Sequence, residues 1–512
     1  MRVLFVTAEL YPLAKSGGLA DVSSALPLAL ARRGVDIRVL LPGYPSALAG
    51  LRSPRIEARL ESLLGIEGVT LISGELPNSQ VPVWLVDAPS LYCRDGGLYQ
   101  DDEGHDWADN ALRFALLAHV AAKIANGLLN TWRPDVVHAN DWHAGLLPLL
   151  LSMEEIPRPA TVFTLHNLAF QGNFPGEILS AIGIPDRFFN ANGLEHYGHV
   201  SFLKAAVRFG DKITTVSPTY AKEVLLPELG FGFDAVLRSR GEAFSGILNG
   251  IDDELWNPST DIYLPQPYNA QDISGKRVCK AQLQRECGLE VSAETPLLGF
   301  VSRLAHQKMA DVILEAIPTF MASGAQFVLV GEGDHSLEQS FQVLNHRYPG
   351  SVSVHVGYTE DLAHRLQAGA DVLLAPARFE PCGLTQCYAS RYGTLPIVRR
   401  TGGLVDTVID ATKATRSDRT ATGFVFDDAN LPALLDATGR ALALYKEPLA
   451  WRRMQLQGMG QDFGWDTSAA KYIALYHEAS GIPYPSGHEA PLPSIVDVEL
   501  GREQHIDRIR VL

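Results

Sequence analysis

The sequence predicts an α/β protein of two Rossmann-like, doubly wound domains facing each other across a cleft. Three observations predict it. Short, near-continuous apolar runs alternate with longer amphipathic stretches, one proline-rich segment interrupts the series, and a Ser/Thr-Gly-Gly loop stands once on each side of the interruption.

In the first half the runs are Arg2–Val6, Val35–Leu41, Val83–Val86, Asp135–Ala139, Thr161–Leu165 and Lys212–Val216; in the second they are Leu297–Val301, Gln326–Val330, Val352–Val356, Asp371–Ala375 and Leu395–Val398. Runs this apolar, rich in β-branched residues and separated by helical segments, read as parallel strands covered on both faces. That is the signature of doubly wound sheets. Residues 256–272 (WNPSTDIYLPQPYNAQD) carry three prolines and neither period, which marks a linker between domains at 1–255 and 273–465. A helical segment at 466–482 follows, then a tail from 483 to 512 that opens on a Pro/Gly-rich stretch and carries no readable chemistry. The Gly-Gly loops are Ser16-Gly17-Gly18-Leu19-Ala20-Asp21 and Thr401-Gly402-Gly403-Leu404-Val405-Asp406, each where a strand gives way to a helix. Ligands of such sheets bind beyond the C-terminal strand ends, so two facing loops of this kind would line one cleft. Chance recurrence of a small motif is the alternative.

Composition narrows the partners. The 512 residues are 46% hydrophobic and 20% charged, and no run of about 18 apolar residues suggests a membrane span. Lys+Arg number 43 against 58 Asp+Glu, a net charge of −15. That surface repels nucleic acid and anionic lipid but not a neutral polysaccharide. Any anionic ligand must then be held by a few placed cations and backbone N–H groups. Five cysteines without C-x-x-C spacing, and a start at Met1 without signal-peptide features, lead us to expect reduced thiols, no zinc site and a cytoplasmic protein.

Five segments carry chemistry. Lys15-Ser16-Gly17-Gly18-Leu19 opens a helix after the first strand, where glycines and free N–H groups admit a phosphate and Lys15 adds charge; a plain tight turn is the other reading. Arg303 and Lys308 stand five apart across a strand-to-helix turn, so both can face one anion, such as a diphosphate leaving group, or both can be solvated surface cations. In Arg378-Phe379-Glu380-Pro381-Cys382-Gly383-Leu384-Thr385, a carboxylate beside a phosphate site suits a ligand hydroxyl or a cation. Cys382 reads as a buried thiol more readily than as a nucleophile, since no His or Lys adjoins it in sequence. Finally, His138–His143 and His166–Gly172 bring polar groups beside aromatics at two strand ends, which suits sugar recognition.

Together these segments resemble the family of bacterial glycogen synthases and plant starch synthases, from residue 1 to about residue 480. The shared stretches are KSGGL at 15–19, DWH at 141–143, HNLAFQG at 166–172, VSPTY at 216–220, LNGID at 248–252, SRLxxQK at 302–308, RFEPCGLTQ at 378–386 and RRTGGLVDTV at 399–408. The resemblance implies a GT-B-type pair of domains with the 466–482 helix crossing back to the first. It implies a retaining transfer of glucose from ADP-glucose to the non-reducing end of an α-1,4-glucan, with ADP released and neither cofactor nor metal. Among the site residues, Arg303 and Lys308 would hold the diphosphate, with Lys15, Gly17 and Gly18 closing from the other domain. Glu380 and Asp141 would bind glucose hydroxyls and His166 would lie against the sugar. Asn249, Cys382, Gly383, Leu384, Thr401, Gly402 and Gly403 would line the same pocket. One departure stands out: the family segment usually reads Gln-Lys-Gly, and here it is Gln307-Lys308-Met309. If that position needs a positive φ, Met309 costs on the order of 1 kcal/mol; if it is ordinary helix, Met is the better residue. A glucan-binding protein without catalysis, or a transferase with another acceptor, would be the rival readings.

Overall fold

A computed structural model describes residues 1–77, 79–154 and 157–483. The expected tail lies outside the described residues beyond Pro483. Among these residues the first sheet has nine strands: β1 (Arg2–Val6), β2 (Asp36–Pro42), β3 (Arg52–Arg59), β4 (Thr70–Glu75), β5 (Pro82–Asp87), β6 (Val136–Asn140), β7 (Ala160–Leu165), β8 (Lys212–Thr215) and β9 (Phe244–Gly246). Their order is β9-β8-β7-β6-β1-β2-β5-β4-β3. The second sheet runs β12-β11-β10-β13-β14-β15, with β10 (Leu297–Val301), β11 (Gln326–Gly331), β12 (Val352–Val356), β13 (Val372–Ala375), β14 (Leu395–Arg399) and β15 (Phe424–Phe426).

The central strands are buried along their length because helices cover both faces, so their sequences need no polar alternation. From β9 to β5 the first sheet is parallel, as is the whole second sheet. All eleven runs read as parallel strands pair in parallel with a neighbour; two strands outside those runs, β4 and β3, extend one edge antiparallel. The reason that β3 lies outside them is visible in its sequence (RSPRIEAR): six of its eight residues are exposed, so it offers no apolar run, and its arginines and Pro54 suit an unpaired edge.

The proline-rich stretch expected as a linker is coil, yet it is built into the second core. Trp256 lies between His364 and Tyr388, stacked at 3.8 and 3.9 Å. The Tyr268 hydroxyl donates to the Tyr392 carbonyl at 2.8 Å. Prolines set the path and two aromatics anchor it, an order that periodicity cannot report. Two first-domain helices bear on the site, α1 (Gly18–Arg32) and α2 (Pro218–Glu223). The second domain adds α3 (Ala310–Ala322), α4 (Glu360–Gly369), α5 (Thr385–Arg391), α6 (Gly402–Thr407), α7 (Lys413–Ser417) and α8 (Pro448–Met459). The last described helix, α9 (Trp465–Ser480), returns to the first domain: Trp465, Ala469, Tyr472 and Tyr476 belong to its core.

Candidate active site

The sequence-predicted residues cluster after the C-terminal ends of β1, β6, β7, β10, β13 and β14, where the two sheets face each other. The first wall is the loop between β1 and α1. Glu9, buried, accepts N–H groups from Ser16 at 2.8 Å and Gly17 at 2.9 Å and the Tyr99 hydroxyl at 2.7 Å. Two loop amides expected to be open to a phosphate are thus already bound, and the first free one belongs to Gly18, the opening residue of α1. A methyl group on Gly17 would meet nothing within 4 Å, and one on Gly18 would sit 3.9 Å from Leu384 Cδ1 in the opposite domain. These glycines keep space open at the cleft. Lys15 Nζ lies 3.0 Å from Asp21 and 3.7 Å from Glu360 of the second domain, and 5.6 Å from the Tyr358 ring centroid. Burial works against its charge, but the Asp21 and Glu360 carboxylates outweigh that and hold its pKa above the ordinary lysine value.

The second wall is stitched from three loops. Lys308 forms an ion pair with Glu380, whose carboxylate is buried. Arg378 N–H donates to the Gln307 carbonyl at 2.8 Å, Gln307 Nε2 donates to the Phe379 carbonyl at 3.1 Å, and the Arg378 guanidinium grips Asp311 at 2.8 and 2.7 Å. Arg303 is exposed and makes no ion pair among the described residues. Gly402 and Gly403 press on the Glu380–Cys382 backbone: a methyl group would come within 1.8 Å of the Glu380 carbonyl oxygen or 2.3 Å of that of Cys382. So the two Gly-Gly loops resemble each other for different reasons. In the first, glycine leaves room; in the second, it permits close packing that fixes Glu380. Gly383 holds φ +72°, the left-handed region.

The Met309 question has an answer here. Its φ is +54° and ψ +30°, so the position does need left-handed backbone, and the side chain is fully buried in the second-domain core.

Cys382 is buried with its thiol against the Asn249 backbone N–H, and burial pushes it up to about 12. Asn249 is itself buried, its Oδ1 without a partner. We expect iodoacetamide at pH 7.5 to label exposed Cys93 and spare Cys382, and Cys382→Ser to lose less than about tenfold in rate, where loss of a true nucleophile costs on the order of 10⁴–10⁶. Labelling of Cys382 at the rate of Cys93 would contradict this.

The polar strand ends divide. His138 and His143 are core residues rather than sugar-facing groups. His138 is hydrogen-bonded to Tyr476 Oη at 2.8 Å and Thr164 Oγ1 at 2.7 Å, and His143 stacks on Tyr99 at 4.6 Å. His166 is half-buried, with Nε2 3.1 Å from Asn140 Oδ1. Asn140 Nδ2 donates to two carbonyls, so its Oδ1 must accept. His166 therefore carries its proton on Nε2, and Nδ1 keeps its lone pair. Burial lowers its pKa to about 3, so the ring is neutral.

Asp141 holds φ +59° with ψ 175°, a strained backbone for any residue but glycine, and the amides of Trp142, His166 and Asn167 point at its carboxylate. Burial nonetheless pushes that carboxyl up to about 7. The folded state then holds one more proton than the unfolded state between about pH 4 and 7. Stability from this group falls as pH rises through that window. Asp141→Asn should raise stability at pH 8 by on the order of 1–3 kcal/mol, and the thermal midpoint with it, and show no gain at pH 4. A midpoint at pH 8 equal to or below the parent's would refute the assignment.

The domains touch through two residues that no motif announced, Glu223 and Phe231, and through Thr219 of the VSPTY stretch, each meeting residues of the 378–386 or 399–408 stretch. Glu223, at the end of α2, accepts the Gly402 N–H at 2.9 Å and the Thr401 hydroxyl at 3.2 Å. Thr219 donates its N–H and hydroxyl to Asp406 at 3.0 and 2.7 Å, and Phe231 packs on Phe379 at 5.1 Å. Glu223, Tyr358 and Glu360 are single residues far in sequence from what they hold, and Glu9 is a lone carboxylate seven and eight residues before the amides it binds. Only the fold reveals them.

Comparison with known proteins gives one answer. Residues 2–239 match the family described as starch synthase catalytic domain, and residues 289–454 match glycosyl transferases group 1. A glycogen synthase of Thioalkalivibrio sulfidiphilus is 51% identical over 482 residues, covering 93% of this chain and 99% of that one. One of Burkholderia thailandensis is 51% identical over 477 residues, covering 92% and 90%. The catalytic domain of starch synthase IV from Arabidopsis thaliana, solved with ADP and acarbose, superposes with a TM-score of 0.86 at 32% identity, covering 94% of this chain and 99% of that one.

Proposed function

The chain belongs to the family of bacterial glycogen synthases and plant starch synthases, retaining glycosyltransferases that lengthen α-1,4-glucans, and we propose how its cleft divides that work. It transfers glucose from ADP-glucose to the non-reducing end of the glucan and releases ADP. Lys308 and Arg303 take the diphosphate from the second domain, while Lys15 and the Gly18 amide meet it from the first. Charge grows on the diphosphate as the glycosidic bond breaks, and cations held in a dry cleft stabilise that state. Glu380 and Asp141 bind glucose hydroxyls, and the lone pair on His166 Nδ1 accepts one more. Asn249, Cys382, Gly383, Leu384 and Thr401–Gly403 complete the pocket. The exposed Tyr358 ring beside Lys15 offers a flat face of the kind on which a nucleobase stacks. The departing diphosphate oxygen takes the acceptor's proton, so the reaction needs no base of its own and, with these cations, no metal.

The observation that carries this reading is the Lys308–Glu380 pair, with Arg303, exposed and without an ion pair among the described residues, five residues before Lys308, and with Lys15 of the first domain reaching Glu360 of the second. We extend the proposal to a cytoplasmic enzyme without nucleic-acid or membrane partners; no described helix is long and apolar enough to cross a membrane. The test is incubation with ADP-glucose or UDP-glucose, with and without glycogen and with and without chelator, counting ADP or UDP released and glucose incorporated. Glycogen-dependent, chelator-insensitive transfer from ADP-glucose is expected. Glycogen binding without turnover would overturn the proposal in favour of a binding protein.

A further inference from the structure

A second concentration of positive charge lies on elements that give nothing to the cleft. In a chain of net charge −15, residues 413–419 and 446–453 carry six cations and two carboxylates. Helices α7 and α8, with the turn that follows α7, gather four of those cations (Lys413, Arg416, Arg419 and Arg453) around one cavity of about 340 Å³. That is the size of a small-metabolite site, for which about 300–1,000 Å³ is usual. Arg416 is paired with Glu447 at 3.0 Å; the other three make no ion pair among the described residues.

The cavity is built rather than left over. Thr412 and Thr415 form a reciprocal cap at the start of α7, and the Thr415 carbonyl accepts N–H groups from Thr420 at 2.9 Å and Ala421 at 3.3 Å. Arg419 is held at φ +60° in that turn. The floor is apolar, formed by Ala421, Ala450 and Met454. Like charges converging on one cavity repel each other until an anion enters, and guanidinium forks match the oxygens of a phosphate. We infer that this cavity is a second anion site, separate from the nucleotide-sugar cleft, that binds a small phosphate dianion, either free or carried on an organic group that rests on the apolar floor.

The test is thermal unfolding of the full chain at low ionic strength with inorganic phosphate, a hexose 6-phosphate or the uncharged hexose. It is run on the parent, on Arg419→Glu/Arg453→Glu and on Lys308→Gln, the last to remove binding in the cleft. We expect a rise on the order of 2–4 °C with the phosphates and none with the hexose, kept in Lys308→Gln, lost in the double variant and weakened by added salt. A lower concentration requirement for the hexose phosphate identifies an organic phosphate; equal requirements identify free phosphate. Arg419→Gln/Arg453→Gln, which adds no negative charge, should lose most of the shift while glycogen-dependent turnover in ligand-free buffer stays within about twofold of the parent. A shift that survives both pairs of substitutions, disappears in Lys308→Gln, or never appears in the parent overturns the inference.

Discussion

Lys308→Gln is expected to lower kcat/KM for ADP-glucose by about 10²–10³-fold, equivalent to about 2.7–4 kcal/mol of transition-state stabilisation. Two effects act in the same direction. The proposed diphosphate contact loses its charge, and the buried Glu380 carboxylate loses its partner and is left facing the incoming anion. Arg303→Gln removes only the first of these, because Arg303 is exposed and unpaired. It should therefore slow transfer without moving the thermal midpoint, whereas Lys308→Gln should lower both. Lys308→Arg keeps the charge, but its planar fork replaces a point charge that sits against Glu380, so it should recover only part of the rate. Initial rates of ADP release at saturating glycogen, with melting curves on the same preparations, check all three. A Lys308→Gln enzyme within threefold of the parent would remove this lysine from the reaction.

How far the sequence alone reached depends on the kind of signal each element left. LLGFV at 297–301 is buried along its whole length, so its apolar run announced a strand, and the cations that follow it lie at the strand end where ligands bind. Strand β3 left no such signal, because an exposed edge strand needs no apolar residues. The three-residue β15 is too short for any period. At the site, glycines, cations and histidines stand in contiguous stretches and could be read. Glu9 and Glu223 could not, since each is a lone carboxylate that binds backbone amides and one distant hydroxyl, which no contiguous side-chain pattern encodes. The histidines illustrate the opposite error. His166 follows an apolar run while His138 lies within one, and His138 ends up under Tyr476 and Thr164 because α9 closes over it, a contact with Tyr476 spanning 338 residues.

Met309 joins the two halves of this problem, and its substitutions should separate backbone strain from packing. The residue is fully buried, so Met309→Ala should cost about 2–5 kcal/mol for the cavity it leaves. In a helix interior, Met309→Gly would be worse than Met309→Ala by about 1 kcal/mol. Here φ is +54°, and the strain that any Cβ adds there, roughly 1–2 kcal/mol, is relieved only by glycine. Met309→Gly should therefore equal Met309→Ala in stability or exceed it by up to about 1 kcal/mol, despite one fewer buried carbon. Met309→Leu and Met309→Ile supply the complementary contrast. Both keep most of the apolar volume, but branching at Cβ makes the left-handed turn hardest for isoleucine. That turn immediately follows Lys308 and is closed by the Met309 N–H to the His306 carbonyl at 3.1 Å, so straining it further displaces the lysine from Glu380. Isoleucine should thus lower both midpoint and turnover, leucine should lower neither by much, and glycine should lower stability while leaving turnover within about threefold. Chemical denaturation of the four variants beside their rates decides the matter: glycine clearly below alanine in stability would show that methionine stands there without strain.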